Sequence, residues 1–205
     1  MRFMSQQTRH ILVQHGAELL TEFSYNALGI DRLLRETGVS KGSFYHFFDS
    51  KQVFALEVIG WYEAYFEERF CRILGDSETP PLQRLAQWMK TGRNRLARHQ
   101  FRRGCLVGNL SQELGSTDPV LSKKLQAVFR GWESWIADVL AQAKARNDLP
   151  ADADTESLAR IFWIGWQGAI LRAKLEGSGK PLDDFSNFFI AYATQGGNFY
   201  IEKVR

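Results

Sequence analysis

The chain has 205 residues, 44% hydrophobic and 24% charged, which is enough apolar material for a packed core and excludes a disordered polymer. A formal net charge of +3 is too small to argue by itself for a nucleic-acid partner, which needs a local basic surface rather than a basic chain. No apolar run approaches the roughly 20 residues that cross a bilayer, and the start, Met1 to Gln7, lacks the apolar stretch of a secretory signal, so a cytoplasmic protein away from membranes is expected.

Nearly every segment reads as helix. The first covers about 5–23, with Ile11, Leu12, Leu19, Leu20 and Phe23 near one stripe at the 3.6-residue period. A break at Ser24-Tyr25-Asn26 precedes a short helix over 30–36, with Ile30, Leu33 and Leu34 facing inward and Gly38 as its left-handed cap. A third helix starts after Ser40 and runs to about Phe47. A fourth begins near Lys51, with Phe54, Val58, Trp61 or Tyr62, and Tyr65 or Phe66 on an aromatic face. The Gly, Asp, Ser and Pro residues of 75–81 form a loop.

Further helices are expected over 82–99, 105–112 and 119–145. The last of these carries Leu121, Leu125, Val128, Phe129, Trp132, Trp135, Ile136, Val139 and Leu140 as a broad apolar surface, and Asp148-Leu149-Pro150 breaks it. The next helix covers 155–175, with Thr155 as its N-cap and Glu156 in the first turn, where a negative charge suits the helix dipole. Gly177-Ser178-Gly179 ends it, and a final helix covers 183–193. No strand pattern or internal repeat stands out.

The segment from Ile30 to Phe48 joins two short helices through a tight turn. Gly38 lets the chain reverse, Val39 fills the corner, and Ser40 caps the second helix. Phe44, Phe47 or Phe48 holds that helix against the first, leaving Lys41, Ser43, Tyr45 and His46 to offer donors to a groove and its flanking phosphates. Any small helical bundle can contain such a turn, so spacing alone leaves DNA binding and simple bundle packing both open.

The run from Thr37 through Gly38-Val39-Ser40-Lys41-Gly42-Ser43-Phe44-Tyr45-His46-Phe47-Phe48 to Asp49-Ser50-Lys51 resembles the DNA-binding signature of the TetR family of bacterial repressors. The resemblance implies an all-α protein, with a three-helix helix-turn-helix domain over 1–50 and a larger helical domain for effector binding and dimerisation over 51–205. It implies a DNA-contacting set of Ser40, Lys41, Gly42, Ser43, Tyr45, His46 and Lys51, with Lys51 starting the helix that links DNA binding to sensing. Two positions depart from the pattern: Ser24 stands where the family commonly has Gly, and Leu28-Gly29 where a capping Ser or Thr is usual. That touches local cap stability and not the DNA-facing residues.

One such unit reads few bases, so a homodimer on an inverted-repeat operator of double-stranded DNA is implied. Residues 119–145 and 155–175 resemble the family's dimerisation helices. Gly165 and Gly168 would permit close approach, and Trp132, Trp135, Phe162, Trp163 and Trp166 would supply buried area or line an effector cavity.

The stretch from Arg103 to Leu114, with its Gly-Cys-Leu, and the stretch from Gly168 to Lys174 resemble a subgroup that includes repressors answering to reactive aldehydes and quinones and to acrylate-like unsaturated acids. In its redox-responsive members the cysteine matching Cys105 is the sensor, and a thiol beside Arg102, Arg103 or a helix N-terminus is the reactive kind. A lone cysteine in a helical protein is otherwise a small buried hydrophobe. The effector set expected is therefore Cys105, Arg102, Arg103, Trp132, Trp163 and Trp166.

The arginines Arg93, Arg95, Arg98, Arg102 and Arg103 read as a solvated basic face, or alternatively as an anion site or added attraction to DNA. Cys71 and Cys105 are too far apart for a zinc motif and are expected as reduced thiols. The four histidines have no metal spacing, and there is no phosphate loop or nucleophile elbow, so no enzyme, metal or cofactor is expected. A non-sensing DNA-binding protein or a protein-interaction dimer is the competing reading.

Overall fold

The computed structural model describes residues 2–195, with side chains from residue 6. The described residues form nine helices and no strand: α1 (Arg2–Glu22), α2 (Ile30–Thr37), α3 (Lys41–Phe47), α4 (Lys51–Leu74), α5 (Pro81–Arg98), α6 (Leu106–Leu114), α7 (Pro119–Ala145), α8 (Thr155–Glu176) and α9 (Lys180–Thr194). None is long and apolar enough to cross a membrane. Two compact units are present. The first comprises the described residues up to Glu68 together with Arg103–Val128, and the second comprises Arg69–Arg102 and the described residues from Phe129 onward.

In the first unit, α1 buries Leu12, Val13, Ala17, Leu19 and Leu20. The expected stripe shifts by two residues at its start: Ile11 is exposed and Val13 is buried in its stead. Phe23 is only half-buried, with the Arg32 guanidinium 3.7 Å over its ring. Leu33 and Leu34 of α2, Phe44 of α3, and Phe54, Ala55, Val58 and Ile59 of α4 complete the core beside Leu106, Val107, Leu110 and Leu114 of α6.

At its centre three rings meet, tilted or edge to face. Phe48 lies 5.1 Å from Phe44 and 5.0 Å from Phe54, and Phe44 lies 5.3 Å from Phe54. The three are at most 3% exposed. Phe54 fits because Gly16 of α1 has no side chain: a Cβ there would stand 2.4 Å from the Phe54 ring.

In the second unit the core is aromatic. Phe70, Trp88, Trp132, Phe162, Trp163, Trp166 and Phe189 are all buried. Arg84 is buried with them, donating to the Leu74 carbonyl that ends α4 and to Gln142 Oε1 at 2.6 Å. That contact gives the C-terminal end of α4 a cation and a donor.

The α8 cap differs from the expected one. Asp154, not Thr155, is the N-cap, accepting the Ser157 N–H at 3.0 Å. Its carboxyl is held below the usual range by the Ser157 hydrogen bonds. Aspartate outranks threonine as a cap, and Thr155 becomes the first helical residue. Gly177 closes α8 with φ of 62°, as its position before Ser178-Gly179 predicts.

Of the tryptophans expected to supply area, only Trp135 is half-buried and the others are buried. Trp132, Phe162, Trp163 and Trp166 are enclosed by their own unit, and Gly165 is packed by Phe185 of α9. From residue 129 onward α7 exposes no large apolar side chain, because Ile136, Val139 and Leu140 turn inward. The apolar residues left in water lie on α8 and α9 instead: Ile161, Ile164, Leu171 and Leu175, with Phe188.

Two helical glycines of the first unit, Gly16 and Gly60, make a paired test. Helix propensity alone predicts that Gly→Ala gains about 1 kcal/mol at either position. Gly60→Ala, whose added methyl meets nothing within 4 Å, is expected to raise the urea midpoint. Gly16→Ala is expected to lower it, since overpacking costs about 1–3 kcal/mol. Equal shifts in the two variants would show that the Phe54 ring yields and that the three rings do not constrain α1.

Candidate functional site

The candidate DNA-facing element is α3, and its geometry is built locally. Gly38 takes φ of 69°, reversing the chain after α2. Ser40 then caps α3, its Oγ accepting the Ser43 N–H at 3.1 Å and lying 2.9 Å from the Ser43 hydroxyl. Inward, α3 anchors through Phe44, and Phe48 follows at its C-cap. Phe47 is half-buried and Val39 no better covered, so both play the smaller part.

Outward stand Ser40, Lys41, Gly42, Tyr45 and His46, all exposed, with Ser43 half-buried. Tyr45 keeps 45% of its surface in water while its ring leans edge-on against Phe44 at 5.3 Å. Gly42 has nothing within 4 Å of where a Cβ would be, so another backbone can approach closely there. Lys41 is tied only loosely, its Nζ 3.7 Å from Asp31. The face thus carries an ammonium, two hydroxyls, a phenol and an imidazole with no competing carboxylate on the helix itself, which suits phosphate and base-edge contacts.

Lys51 belongs elsewhere. It is half-buried at the start of α4, its Nζ donates to the Tyr25 carbonyl at 2.5 Å, and it lies 4.3 Å over the Tyr25 ring. Burial holds its ammonium below the usual lysine range, with Glu113 pulling the other way. This lysine, expected in the DNA-contacting set, is engaged inside the unit, fixing the α1–α2 loop to α4. Burial is also the main cause that pushes the Tyr25 phenol up, followed by the charges of Asp118 and Glu113.

Opposite Lys51, α6 grips the same loop. The Glu113 carboxylate accepts the backbone N–H of Tyr25 at 2.6 Å and of Asn26 at 2.7 Å. Asn109 Nδ2 donates to the Leu20 and Thr21 carbonyls, and Gly104 N–H donates to Thr21 O at 2.8 Å, satisfying the C-terminal carbonyls of α1. Arg103 reaches Glu18 at 3.4 Å and Glu22 at 3.7 Å. Gln52 donates to Asp118 at 2.8 Å, joining α4 to the start of α7. The Leu121 N–H, then Gln52, hold the Asp118 carboxyl below the usual range. Its stabilising contribution is therefore present above the ordinary carboxylate pKa and disappears as pH falls through the lowered value. Sequence patterns give no sign of Glu113 or Asn109, whose partners lie almost ninety residues away.

The expected effector residues divide between the units. Cys105 is in the first, 4% exposed and at the N-cap of α6, a free thiol; Cys71 is free and exposed. Arg103 is engaged by its two glutamates, and Arg102 is exposed. Trp132, Trp163 and Trp166 come together in the second unit around Trp88, which lies 5.4 Å from Trp163 and 5.5 Å from Trp166, while Trp132 lies 4.9 Å from Trp163. Of the arginine series, Arg93 pairs with Asp183 at 3.2 Å rather than standing free.

A capped short helix set on a buried aromatic seat, presenting a polar outer face after a glycine turn, defines a helix-turn-helix DNA-binding module on an all-helical body. Comparison with known proteins makes the assignment specific. Residues 12–58 match the model "Bacterial regulatory proteins, tetR family", and residues 81–189 match "Tetracyclin repressor-like, C-terminal domain". Transcriptional regulator AcuR of Cereibacter sphaeroides is 43% identical, over 87% of this chain and 81% of its own. The HTH-type transcriptional repressor DhaR of a Mycobacterium species is 29% identical, over 86% of this chain and 87% of its own. The crystal structure of a regulatory protein TetR from Rhodobacter sphaeroides superposes with a TM-score of 0.87 at 42% identity, covering 89% of this chain and 97% of that one. The chain belongs to the TetR family of transcriptional regulators.

Replacing Glu113 with Ala strips two loop amides of their acceptor. The expected cost is about 1–3 kcal/mol in urea unfolding, with faster amide exchange confined to Tyr25, Asn26 and their neighbours. Unchanged exchange at those two amides would mean that α6 does not grip the loop.

Proposed function

We propose that this protein is a ligand-responsive transcriptional repressor that binds an inverted-repeat operator as a dimer and is released by a small organic effector. The observation that carries the reading is the exposed polar face of α3, held over the buried Phe44–Phe48–Phe54 seat. Ser40, Lys41, Gly42, Ser43, Tyr45 and His46 make the DNA contacts, from bases at the helix start to phosphates at Tyr45 and His46. The functional boundary falls after residue 50, with 51–205 serving effector binding and dimerisation, although α6 packs with the N-terminal helices.

Dimerisation uses α8 and α9. Ile161, Ile164, Gly168, Leu171 and Leu175 recur at intervals of three and four along one side of α8, with Ile164 75% and Leu175 78% exposed. Such a stripe is the seam of a helix bundle awaiting its second half. The open side of Gly168 permits close approach.

The effector is an unsaturated acid, an aldehyde or a quinone. The aromatic cluster around Trp163 suits noncovalent binding, and Cys105 at the head of α6 suits an electrophile. Either ligand acts by binding the DNA-incompetent arrangement better than the competent one.

Selection of bound sites from random duplex DNA is expected to enrich an inverted repeat, and no enrichment would sink the specific-repressor reading. On the selected site, Lys41→Met is expected to flatten the dependence of log affinity on log salt by about 0.9 for each phosphate it no longer neutralises. Lys51→Met should leave that slope alone while lowering the unfolding midpoint; the reverse pattern would return Lys51 to the DNA interface. The double variant Ile164→Asp, Leu171→Asp is expected to sediment as a folded monomer. A dimer at micromolar concentration would exclude the α8 seam.

A further inference from the structure

We infer that the outer side of α5, continued by Arg102 in the turn after it, is a second, sequence-independent contact for the phosphate backbone of duplex DNA. This rests on the reading that the protein works on duplex DNA through α3, and it adds a surface in the second unit.

Charge is distributed unevenly along the chain. Residues 1–50, which carry α3, hold five Lys or Arg and five Asp or Glu and are therefore neutral. Residues 79–112 hold seven Lys or Arg and no Asp or Glu at all. With the whole chain at +3, everything outside that stretch is net negative. A protein adheres to duplex DNA chiefly by neutralising phosphates with Lys and Arg and releasing their counterions. The outer face of α3 offers one such cation, Lys41, so the concentrated positive charge lies elsewhere.

Packing turns part of that charge outward in a row. Gln83, Gln87, Lys90, Asn94 and Arg98 are all exposed, and their spacing of three and four residues sets them along one side of α5. Arg84 is buried and Arg93 is paired with Asp183, which leaves Lys90 and Arg98 as the cations of the row. Among the described residues, neither these two nor the exposed Arg102 pairs with an acid. No carboxylate competes on α5 itself.

The row selects its partner. Lys90 and Arg98 stand about 12 Å apart along the helix, and Gln83 and Arg98 about 22 Å. A single small anion cannot span cations so placed, whereas a duplex repeats its phosphates over such a length. The Gln and Asn amides between them can donate to phosphate and sugar oxygens, as neutral side chains do in DNA interfaces. Among the described residues, no large apolar side chain is left in water on α5 or in the turn after it. Anionic membrane surfaces take basic helices that also bury an apolar face, and protein interfaces are built on aromatic and apolar anchors. The outer side of α5 has neither.

The test measures binding of the full-length protein to a long random-sequence duplex by fluorescence anisotropy across a salt series. The triple variant Lys90→Gln, Arg98→Gln, Arg102→Gln is compared with a control triple, Arg72→Gln, Lys123→Gln, Arg130→Gln, which removes the same charge from exposed cations outside the row. The α5 triple is expected to flatten the dependence of log affinity on log salt by about 0.9 per phosphate released, about 2–3 in all, and to weaken binding at least about tenfold at low salt. The control should keep the parent slope, and both triples should keep the parent circular dichroism and melting temperature. On a selected operator the α5 triple should lower affinity without changing which inverted repeat is enriched, since phosphate contacts carry no sequence information. A parent-like slope in the α5 triple, equal flattening in both triples, a changed operator preference, or no salt-dependent binding by the parent each overturns the proposal. An enriched operator with a parent-like α5 slope would do so and leave the repressor reading intact. Flattening confined to the α5 triple, with no enriched operator, would sink that reading and keep the second surface.

Discussion

The seating of Phe54 against Gly16, with Phe44 and Phe48 closed over it, is the contact on which the DNA-facing surface depends. A seven-residue helix has no stability of its own, since nucleation costs more than so few hydrogen bonds return. The direction in which Lys41, Tyr45 and His46 point is therefore set by what holds Phe44 and Phe48. That holder includes Phe54 at the start of α4 as well as the partner helix of the turn. The outer face of α3 is thus tied to α4 through Phe54, and a displacement of the first turns of α4 would disturb that seat.

A second layer of contacts keeps α4 in register with α1, and it is polar where the first is apolar. Lys51, Glu113, Asn109, Gln52 and Asp118 all address backbone groups or one another around the loop at Tyr25 and Asn26. Hydrogen bonds of this kind are directional and short-ranged, so a shift of about an ångström breaks them, whereas apolar packing tolerates small slides. The combination gives the unit a firm seat for α3 and a latch that opens over a small displacement of α6 or α4.

Helix order is legible in the sequence because periodicity and punctuation agree almost everywhere: Gly38, Ser40, Gly177 and the 75–81 loop each fall where a boundary does. The polar outer face of α3 is legible for the same reason, since Phe44 and Phe48 leave only one side of a short helix for polar residues. Lys51 is not, because its partner is a carbonyl in a loop whose position depends on α6. A lysine at a helix start looks the same in sequence whether it faces a phosphate or a backbone oxygen. The tryptophans mislead for a related reason. Aromatic area signals burial but not whether the burying surface is the same chain, and the large apolar side chains that α8 and α9 leave in water are instead Ile161, Ile164, Leu171, Leu175 and Phe188.

The two ways of sensing put their stress on different parts of the chain. Addition of an electrophile at Cys105 would act in the first unit, at the head of the helix whose far end carries Glu113, so enlarging a 4%-exposed residue there strains the latch directly. A ligand held in the second unit would reach α3 through the continuity of α4 and α7, which contribute residues to both units. Arg84 then acquires a role beyond packing. It binds the last carbonyl of α4 and Gln142 of α7, so the packing of the second unit is tied to the end of the helix whose beginning seats Phe44.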